Sequence, residues 1–140
     1  MTAPASSEPH IAAVVAAADA ALQQLLPTPR RAYNGERGET DRVCAVVHGT
    51  PGQTSGSLGD RFADLELLFQ VTAVAEGPEQ AMAIADVVRV ALLATPPPAV
   101  DGRAVWPLWQ VAAQPVLRDD TVQPPLWIST AQYEIKSNPA

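Results

Sequence analysis

Three side chains in this sequence are suited to nucleophilic or acid–base chemistry: Cys44, His48 and His10. Cys44 and His48 lie four residues apart in the run RVCAVVH, whose β-branched residues predict a strand. On a strand they share a face but stand about 13 Å apart, which is too far for a thiol–imidazole hydrogen bond. His10 lies in the first turns of a predicted helix, with no carboxylate placed to make it a general base. The sequence therefore predicts no catalytic residues, and we expect Cys44 to be a buried hydrophobe.

The remaining polar motifs favour neither a metal nor a phosphate site. One Cys and two His cannot build a zinc site of the usual Cys/His type. A hard cation could bind to the carboxylates of Asp119 and Asp120 together with those of Asp60 and Asp64. Carboxylates in turns, however, are commonly solvated or cap the turn. The segment GTPGQTSGSLGDR (49–61) is rich in glycine but lacks the lysine and the Gly-Lys-Ser/Thr ending of a phosphate-binding loop. We expect no metal, no cofactor and no enzymatic activity.

The composition describes one acidic domain with a single core. The chain has 140 residues, of which 47% are hydrophobic and 17% charged, and its formal net charge is -6. Its few Arg and one Lys are scattered, so no basic stripe exists to neutralise phosphates, and nucleic-acid binding as a primary role is disfavoured. A single Cys rules out an internal disulfide and indicates synthesis in a reducing compartment. The apolar stretch 11–26 has no preceding Lys or Arg and contains Asp19, so it predicts neither an export signal nor a membrane span.

Hydrophobic periodicity predicts an α+β fold: a mainly antiparallel sheet with two helices packed on one face, in a single domain over residues 1–140. Residues 1–7 are small and polar, and we expect them to be loose. Apolar residues at three- and four-residue steps predict one helix over 8–26 and a second that begins at Pro78 and ends before Pro96. Strands are expected over 30–33, 42–48, 62–76 and 126–136.

The strand pattern also predicts a buried face and two irregular segments. The 49–61 segment has no apolar period, so we expect a long, mobile connection that becomes ordered on binding. The apolar segment 105–116 contains Pro107 and Pro115, which predict an edge strand or two short pieces. In the strand 62–76, alternation places five apolar side chains on one face: Leu65, Leu67, Phe69, Val71 and Ala73.

Three tryptophans, Trp106, Trp109 and Trp127, lie in the last third of the chain and are interleaved with prolines. One interpretation is core packing. The other is a protein interface, since Trp is a common interface anchor and an irregular, proline-containing edge resists pairing with the wrong strand. An apolar edge in a chain without evident catalytic groups favours a role in assembly.

Three segments carry a resemblance to a known family: DLELLFQVTAVAEGPEQAMAIADVVRVALL (64–93), VDGRAV (100–105) and VLRDDTVQPPLWISTAQYEIKSNPA (116–140). They resemble the tail terminator proteins of long, non-contractile-tailed bacteriophages, especially those of actinobacterial hosts. The most specific piece is Arg118-Asp119-Asp120, followed by Val122-Gln123-Pro124-Pro125 and the closing strand. Such proteins often carry Phe-Tyr after the proline pair, where this chain has Trp127-Ile128.

The resemblance implies a structural virion protein that assembles in the host cytoplasm and forms a ring of six subunits at the head-proximal end of the tail. The ring would cap the tail tube, stop its polymerisation and join the tail to the head connector. Its partners would be further copies of itself, the tail tube protein and the connector protein, with no membrane. DNA would pass through the channel without specific binding, and carboxylates on the lumen would repel its phosphates. The residues expected at a subunit or partner interface are Trp106, Trp109, Arg118, Asp119, Asp120, Gln123 and Trp127.

Several alternatives stay open from the sequence. Arg118, Asp119 and Asp120 are either a turn stabilised by Asp side chains or a contact in which Arg118 pairs with a neighbouring subunit. The chain could instead be another neck or head-completion protein of a phage. A hypothesis of a different class is a small-ligand-binding domain in which the tryptophans line an apolar pocket.

Overall fold

The chain alternates between two helices and groups of strands. The structure, a computed structural model, describes residues 6–27, 30–36, 42–57 and 60–140. Helix α1 spans Ser7–Ala21 and continues into a short 3-10 turn, Leu22–Gln24, and helix α2 spans Pro78–Leu92. No helix in the described ranges is long and apolar enough to cross a membrane. The strands in these ranges are β1 (Ala32–Asn34), β2 (Cys44–Gly49), β3 (Gln53–Ser57), β4 (Asp60–Ala75), β5 (Arg103–Val105), β6 (Trp109–Ala113), β7 (Leu117–Asp119) and β8 (Leu126–Pro139).

These strands form one sheet around the long antiparallel pair β4–β8, which is in register from Leu65 opposite Ser137 to Ala75 opposite Trp127. On the other side of β4 lie β2 and, further along the strand, β3. The far side of β8 is flanked successively by β7, β6 and β5. The pair β1–β2 is parallel, and the other pairs in the described residues are antiparallel. The predicted α+β fold with a mainly antiparallel sheet is confirmed.

Both helices pack on one face of this sheet, as predicted. The buried residues of each helix recur at three- and four-residue steps, and the five alternating residues of β4 that the sequence placed on one face are all buried beneath the helices. The Phe69 and Tyr133 rings stack there with their centroids 5.6 Å apart. The remaining core members include Ile11, Val14, Ala18 and Leu22 from the first helical segment and Ala81, Ile84, Val88 and Leu92 from α2.

The opposite face of the sheet, which we call the open face, carries a buried apolar cluster at one end. There Cys44 is buried in a small cluster with Tyr33, Val46, Val74 and Leu126. Elsewhere this face is largely polar, with rows such as Thr72 opposite Thr130 and Gln70 opposite Gln132, although Leu68 is exposed on it, as is His48. Cys44 is therefore a buried hydrophobe, as the sequence predicted. Its thiol lies in an apolar cluster, whereas the imidazole of His48 is exposed.

The expectation of an irregular connection over residues 49–61 is wrong for Gln53–Ser57. These residues form β3, which pairs antiparallel with the start of β4 and contains an irregularity between Ser55 and Ser57. Residues 53–56 are exposed, so this part of the strand buries no face, and the sequence shows no apolar alternation there. Residues 58 and 59 lie outside the described residues, and the mobility of the segment stays a prediction.

The start of α1 is held by backbone and side-chain contacts. Of the segment 1–7 expected to be loose, residues 1–5 lie outside the described residues, whereas Ser7 already belongs to α1. Ser6 is the N-cap residue but makes no side-chain cap hydrogen bond. The Ser7 hydroxyl instead accepts a 2.9 Å hydrogen bond from the backbone N–H of Gly52, which ties the helix to the chain entering β3.

The end of α1 is tied to β1 through Asp19. Its Oδ1 accepts hydrogen bonds from the backbone N–H groups of Arg31 (2.6 Å) and Ala32 (3.0 Å), and its Oδ2 lies 3.2 Å from the Arg31 guanidinium. Burial alone would raise the pKa of Asp19, but these hydrogen bonds and the Arg31 charge lower it below the ordinary value. Because the folded state favours the charged carboxylate of Asp19, this group contributes its full stabilisation above its pKa in the unfolded chain, near 4. The stabilisation is lost as the pH falls through the pKa of Asp19 in the folded protein.

We predict that Asp19→Asn lowers the free energy of unfolding by about 1–3 kcal/mol at pH 7, since the amide satisfies the two backbone donors less well and loses the ion pair. Urea unfolding followed by circular dichroism measures this. Asp86→Asn is the matched control, because Asp86 forms an exposed ion pair with Arg89 on α2 and its substitution should change stability by less than about 0.5 kcal/mol. The difference in the free energy of unfolding between wild type and Asp19→Asn should become smaller below pH 4. Equal effects of the two substitutions on stability at pH 7 would contradict the conclusion that Asp19 stabilises the contact between α1 and β1.

Candidate assembly surface

The structure brings most of the predicted interface residues to one side of the sheet, along β5, β6 and β7. We call this side, residues 103–119, the outer edge. Pro107 and Pro115 interrupt it, and three short strands lie along it where the sequence predicted an edge strand or two short pieces. Four large apolar side chains of the outer edge are exposed, with relative accessibilities of 55% for Trp106, 38% for Trp109, 48% for Val111 and 53% for Leu117. Such a concentration of apolar side chains along one edge is typical of a protein interface.

Strand pairing fixes the direction of these side chains. Trp109 lies opposite Glu134 on the open face, and the Lys136 ammonium stands 5.1 Å from its ring centroid. The register of β6 shifts between Gln110 and Ala112, so Val111 is an extra residue that turns outward. The outer edge therefore presents Trp109 toward the open face and Val111 away from the body of the sheet.

Trp106 is held at the same edge by two hydrogen bonds to β8. Its backbone N–H donates to the Lys136 carbonyl at 2.9 Å, and its indole Nε1 donates to Asn138 Oδ1 at 3.1 Å. The ring is thus fixed in position while most of its surface stays exposed. A side chain held in this way loses little conformational entropy on binding, which favours its use as an interface anchor.

Trp127 differs from the other two tryptophans. It lies opposite Arg118 and Ala75 on the helix-bearing face, is half-buried and packs against the main core. Core packing therefore describes Trp127, whereas Trp106 and Trp109 are exposed. Because Trp109 and Trp127 point to opposite faces of the sheet, the three tryptophans do not line a common pocket.

The four polar residues predicted for the interface cluster at the end of β7 and make local hydrogen bonds and an ion pair there. Arg118 Nε lies 2.7 Å from Asp120 Oδ1, and Asp119 Oδ1 accepts a 3.0 Å hydrogen bond from the Thr121 backbone N–H. Gln123 Nε2 donates to the Asp120 carbonyl at 3.3 Å. This is the turn that the sequence offered as one interpretation. The Arg118–Asp120 pair is also largely exposed, so the intersubunit contact stays a prediction.

Sequence reasoning missed a buried polar cluster formed by His10, Arg103 and Ser137. His10 Nδ1 donates to the Ser6 carbonyl at 2.6 Å, which leaves Nε2 as the acceptor for the Ser137 hydroxyl at 2.7 Å. Arg103 Nε donates to the same hydroxyl oxygen at 3.2 Å, and its guanidinium donates to the Ser137 carbonyl at 3.0 Å. All three residues are buried. The alternation of β8 places Ser137 on the buried face, which was the one available signal in the sequence.

This cluster ties three elements together and is structural rather than nucleophilic. The Ser137 hydroxyl is buried, donates to His10 and accepts from Arg103, so it offers no accessible lone pair to a substrate. Burial lowers the pKa of His10; the Ser6 carbonyl partly opposes this effect and the Arg103 charge adds to it. His10 is therefore a neutral acceptor joining α1 to β8, while Arg103 joins β5 to the same point.

Several open depressions lie on the surface of the described residues. One of them, of about 550 Å³, lies beside the buried cluster and is lined partly by Glu8, His10, Asp101 and Arg103. A depression of about 390 Å³ lies between α2 and the outer edge, with Met82 and Ala113 among its lining residues. Within the described ranges, no three His, Cys, Asp or Glu side chains converge as a metal site requires. The exposed outer edge is thus the strongest candidate functional surface.

Comparisons with known proteins agree with this architecture. No protein-family model matches the chain, and no curated protein matches it. Among solved structures, it is similar to a chain in the virion of a native gene transfer agent particle, with a TM-score of 0.65 and 21% sequence identity. The similarity covers 91% of this chain and 92% of the other. At this identity it shows that the two chains share a fold over nearly their whole lengths.

We predict that Ser137→Ala lowers the free energy of unfolding by about 1–3 kcal/mol, because it leaves buried polar groups of His10 and Arg103 without a shared partner. Ser129→Ala is the control: Ser129 is half-buried on the same face of β8 but lies outside the cluster. Thermal and urea unfolding of both variants measure the difference. Equal stability of Ser137→Ala and the wild type would show that the cluster contributes no net stabilisation.

Proposed function

We propose that this protein is a structural virion protein, a tail terminator whose subunits form a ring that caps the tail tube and joins the tail to the head connector. The observation that carries the proposal is the outer edge, where Trp106, Trp109, Val111 and Leu117 are exposed along one side of the sheet. A surface of this kind is suited to binding protein rather than a small molecule.

Two further lines support the virion setting. The fold is shared, over almost the whole chain, with a protein in the virion of a gene transfer agent particle. Independently, residues 64–93, 100–105 and 116–140 resemble phage tail terminators in sequence. The first supports a virion structural protein in general, and the second supports the particular position at the end of the tail. Neither depends on a catalytic group, and the buried Ser137–His10 pair offers none.

The proposed mechanism is assembly without covalent chemistry. A ring requires two different, complementary surfaces on each subunit, so that successive head-to-tail contacts close. The outer edge supplies one of these surfaces. The ring then needs unlike axial faces, one that binds the last turn of tube subunits and one that binds the connector. Once the first face is occupied, no free tube surface is left for another tube subunit, and the tube stops growing while DNA passes through the central channel.

The first experiment is to measure the mass of the purified protein by light scattering, alone and with tail tube protein, and to measure tube lengths by electron microscopy. We expect a ring, or a smaller species that joins tubes and caps them at limited length. A protein that binds connector but not tubes would instead support a second candidate, another neck or head-completion protein. The fold similarity is equally consistent with that candidate, because the similar chain is known as part of a virion, with no position within the virion given.

Assembly should depend on the outer edge in a residue-specific way. We predict that Leu117→Asp weakens ring formation or tube capping by at least about tenfold, equivalent to 1.4 kcal/mol, because it places a charge in an apolar contact. Leu68→Asp is the matched control, since Leu68 is an exposed strand leucine at 46% relative accessibility but lies on the open face of β4. Both variants should keep wild-type circular dichroism. An equal loss of assembly in both variants, or no loss in either, would show that the outer edge is not the assembly contact.

A further inference from the structure

In the proposed ring, the outer edge of each subunit needs a different, complementary surface on the next subunit. The opposite edge of the sheet is formed by β1, because the strand order runs from β1 through β2, β4 and β8 to the strands of the outer edge. Successive strands lie about 4.8 Å apart, so the two edges stand about 20 Å apart on opposite sides of the subunit. The β1 edge is therefore placed where the outer edge of a neighbouring copy can reach it.

The start of β1 and the end of β7 lie at the same level of the sheet. The row of paired residues that begins at Ala32 crosses β2 and β4 and reaches Ser129 of β8. Leu117 of β7 lies within one residue of the same row. Because β7 runs antiparallel to β1, Arg30 before β1 and Asp120 after β7 lie toward the same end of the sheet.

The free edge of β1 meets a neighbour through side chains rather than by adding a strand. The Ala45 N–H bonds to the Arg31 carbonyl, so the backbone groups of the next residue, Ala32, point away from β2. The Ala32 N–H donates to Asp19 Oδ1 at 3.0 Å, and the Ala32 carbonyl accepts from Arg30 Nε at 3.2 Å. Side chains of the same subunit thus occupy the positions where a further strand would bond.

Beside β1, the outer surface of α1 leaves a depression of about 380 Å³. Ala12, Val15 and Ala16 line it from α1, and Arg30 lines it from the chain before β1. We call this depression, with Arg30, the receiving surface. The apolar side chains of the outer edge project, whereas the receiving surface is recessed, so the two surfaces are complementary in shape.

Arg30 supplies a positive charge to the receiving surface. The residue is exposed, and its guanidinium stands 4.6 Å from the centroid of the Tyr33 ring. The carboxylate of Asp19, which also lines the depression, is paired with Arg31. Because ring contact and a hydrogen bond fix the Arg30 side chain, it loses little conformational entropy when it pairs with a carboxylate.

The corresponding end of the outer edge is acidic. Between residues 117 and 121, two carboxylates, those of Asp119 and Asp120, stand against one cation, Arg118. The Asp120 side chain is 70% exposed, and its surface ion pair with Arg118 contributes little by itself. Because a carboxylate has two acceptor oxygens, Asp120 can accept from a second guanidinium while it keeps Arg118.

We propose that the receiving surface binds the outer edge of a second copy of this chain, with Arg30 of one subunit paired with Asp120 of the next. This proposal rests on the proposed function, because it names the second surface of the ring contact. Each subunit then presents its outer edge to one neighbour and receives the outer edge of the other. Repetition of this head-to-tail contact closes the ring.

Two charge reversals, Arg30→Asp and Asp120→Arg, test the pair. Each variant alone makes like charges meet at every contact, so we expect at least about tenfold less assembly than wild type at equal concentration. Light scattering, with and without tail tube protein, measures this. An equimolar mixture of the two variants should regain assembly, because opposite charges meet at every contact when the variants alternate. Alternation closes a ring of even number, such as the expected six.

Asp86→Arg is the matched control, since it makes the same charge change in an exposed Asp–Arg ion pair on α2. Alone it should assemble as wild type. Mixed with fluorescently labelled Arg30→Asp, it should bring at least about fivefold less label into the ring fraction than Asp120→Arg does. Equal recruitment by the two partners, or wild-type assembly of Arg30→Asp and Asp120→Arg alone, would overturn the proposed pair.

If circular dichroism shows that Arg30→Asp does not fold, Arg30→Lys replaces it and keeps the charge. Carbodiimide joins an ammonium to a carboxylate in contact with it, so assembled Arg30→Lys protein should give covalent dimers and larger species on a denaturing gel. Peptide mapping should find positions 30 and 120 joined, and adding Asp120→Asn should remove that peptide. Assembled Arg30→Lys protein without this cross-link would overturn the contact.

The outcomes separate the contact from the proposed function. Wild-type rings that neither bind nor cap tubes would contradict the tail terminator role, while the mixing result would still decide the contact. Wild-type rings that cap tubes, with both charge reversals assembling normally, would overturn the contact alone. A wild-type protein that stays a single subunit with and without tubes would contradict both.

Discussion

The antiparallel pairing of β4 with β8 is the interaction on which the rest of the structure depends. These two strands stay in register from Leu65 and Ser137 to Ala75 and Trp127, and they lie at the centre of the sheet. Their alternation assigns one set of side chains to the helices and the other to the open face. A slip of β8 by one residue against β4 would put Tyr133 on the open face, away from Phe69, and polar side chains of β8 under the helices. The pair therefore fixes both the core and the two surfaces of the molecule.

Helix α1 shows how polar contacts complete what apolar packing begins. Its buried stripe is short and its other residues are mostly alanine, so apolar contact with the sheet limits its position only loosely. At its start the imidazole of His10 bonds to Ser137, and near its end the carboxylate of Asp19 bonds to the backbone of Arg31 and Ala32. These contacts anchor the helix at both ends, and the same Ser137 hydroxyl also accepts a hydrogen bond from Arg103 of β5.

The outer edge is exposed because the helices do not cover it. Helix α1 contacts β1 and β2, and α2 contacts β4 and β8, which leaves β5, β6 and β7 beyond the helical layer. An edge of this kind risks unwanted strand pairing, and the interruptions at Pro107 and Pro115 with the shift at Val111 reduce that risk. A surface protected against pairing with arbitrary strands but rich in apolar side chains is suited to one specific protein partner. This is the physical basis of the proposed role in a ring.

The sequence by itself determined the elements whose side chains repeat with a local period. Both helices and the alternation of β4 and β8 follow from residues within a few positions of one another, and Pro107 and Pro115 act on their own backbone. Only the tertiary structure decided that Gln53–Ser57 is a strand, because these residues have no apolar period and their pairing comes from β4. It likewise separated the half-buried Trp127 from the exposed Trp106, since each depends on which strand lies beside it. The His10–Ser137 contact joins residues 127 positions apart, and no local pattern records a hydrogen bond that exists only once the sheet has formed.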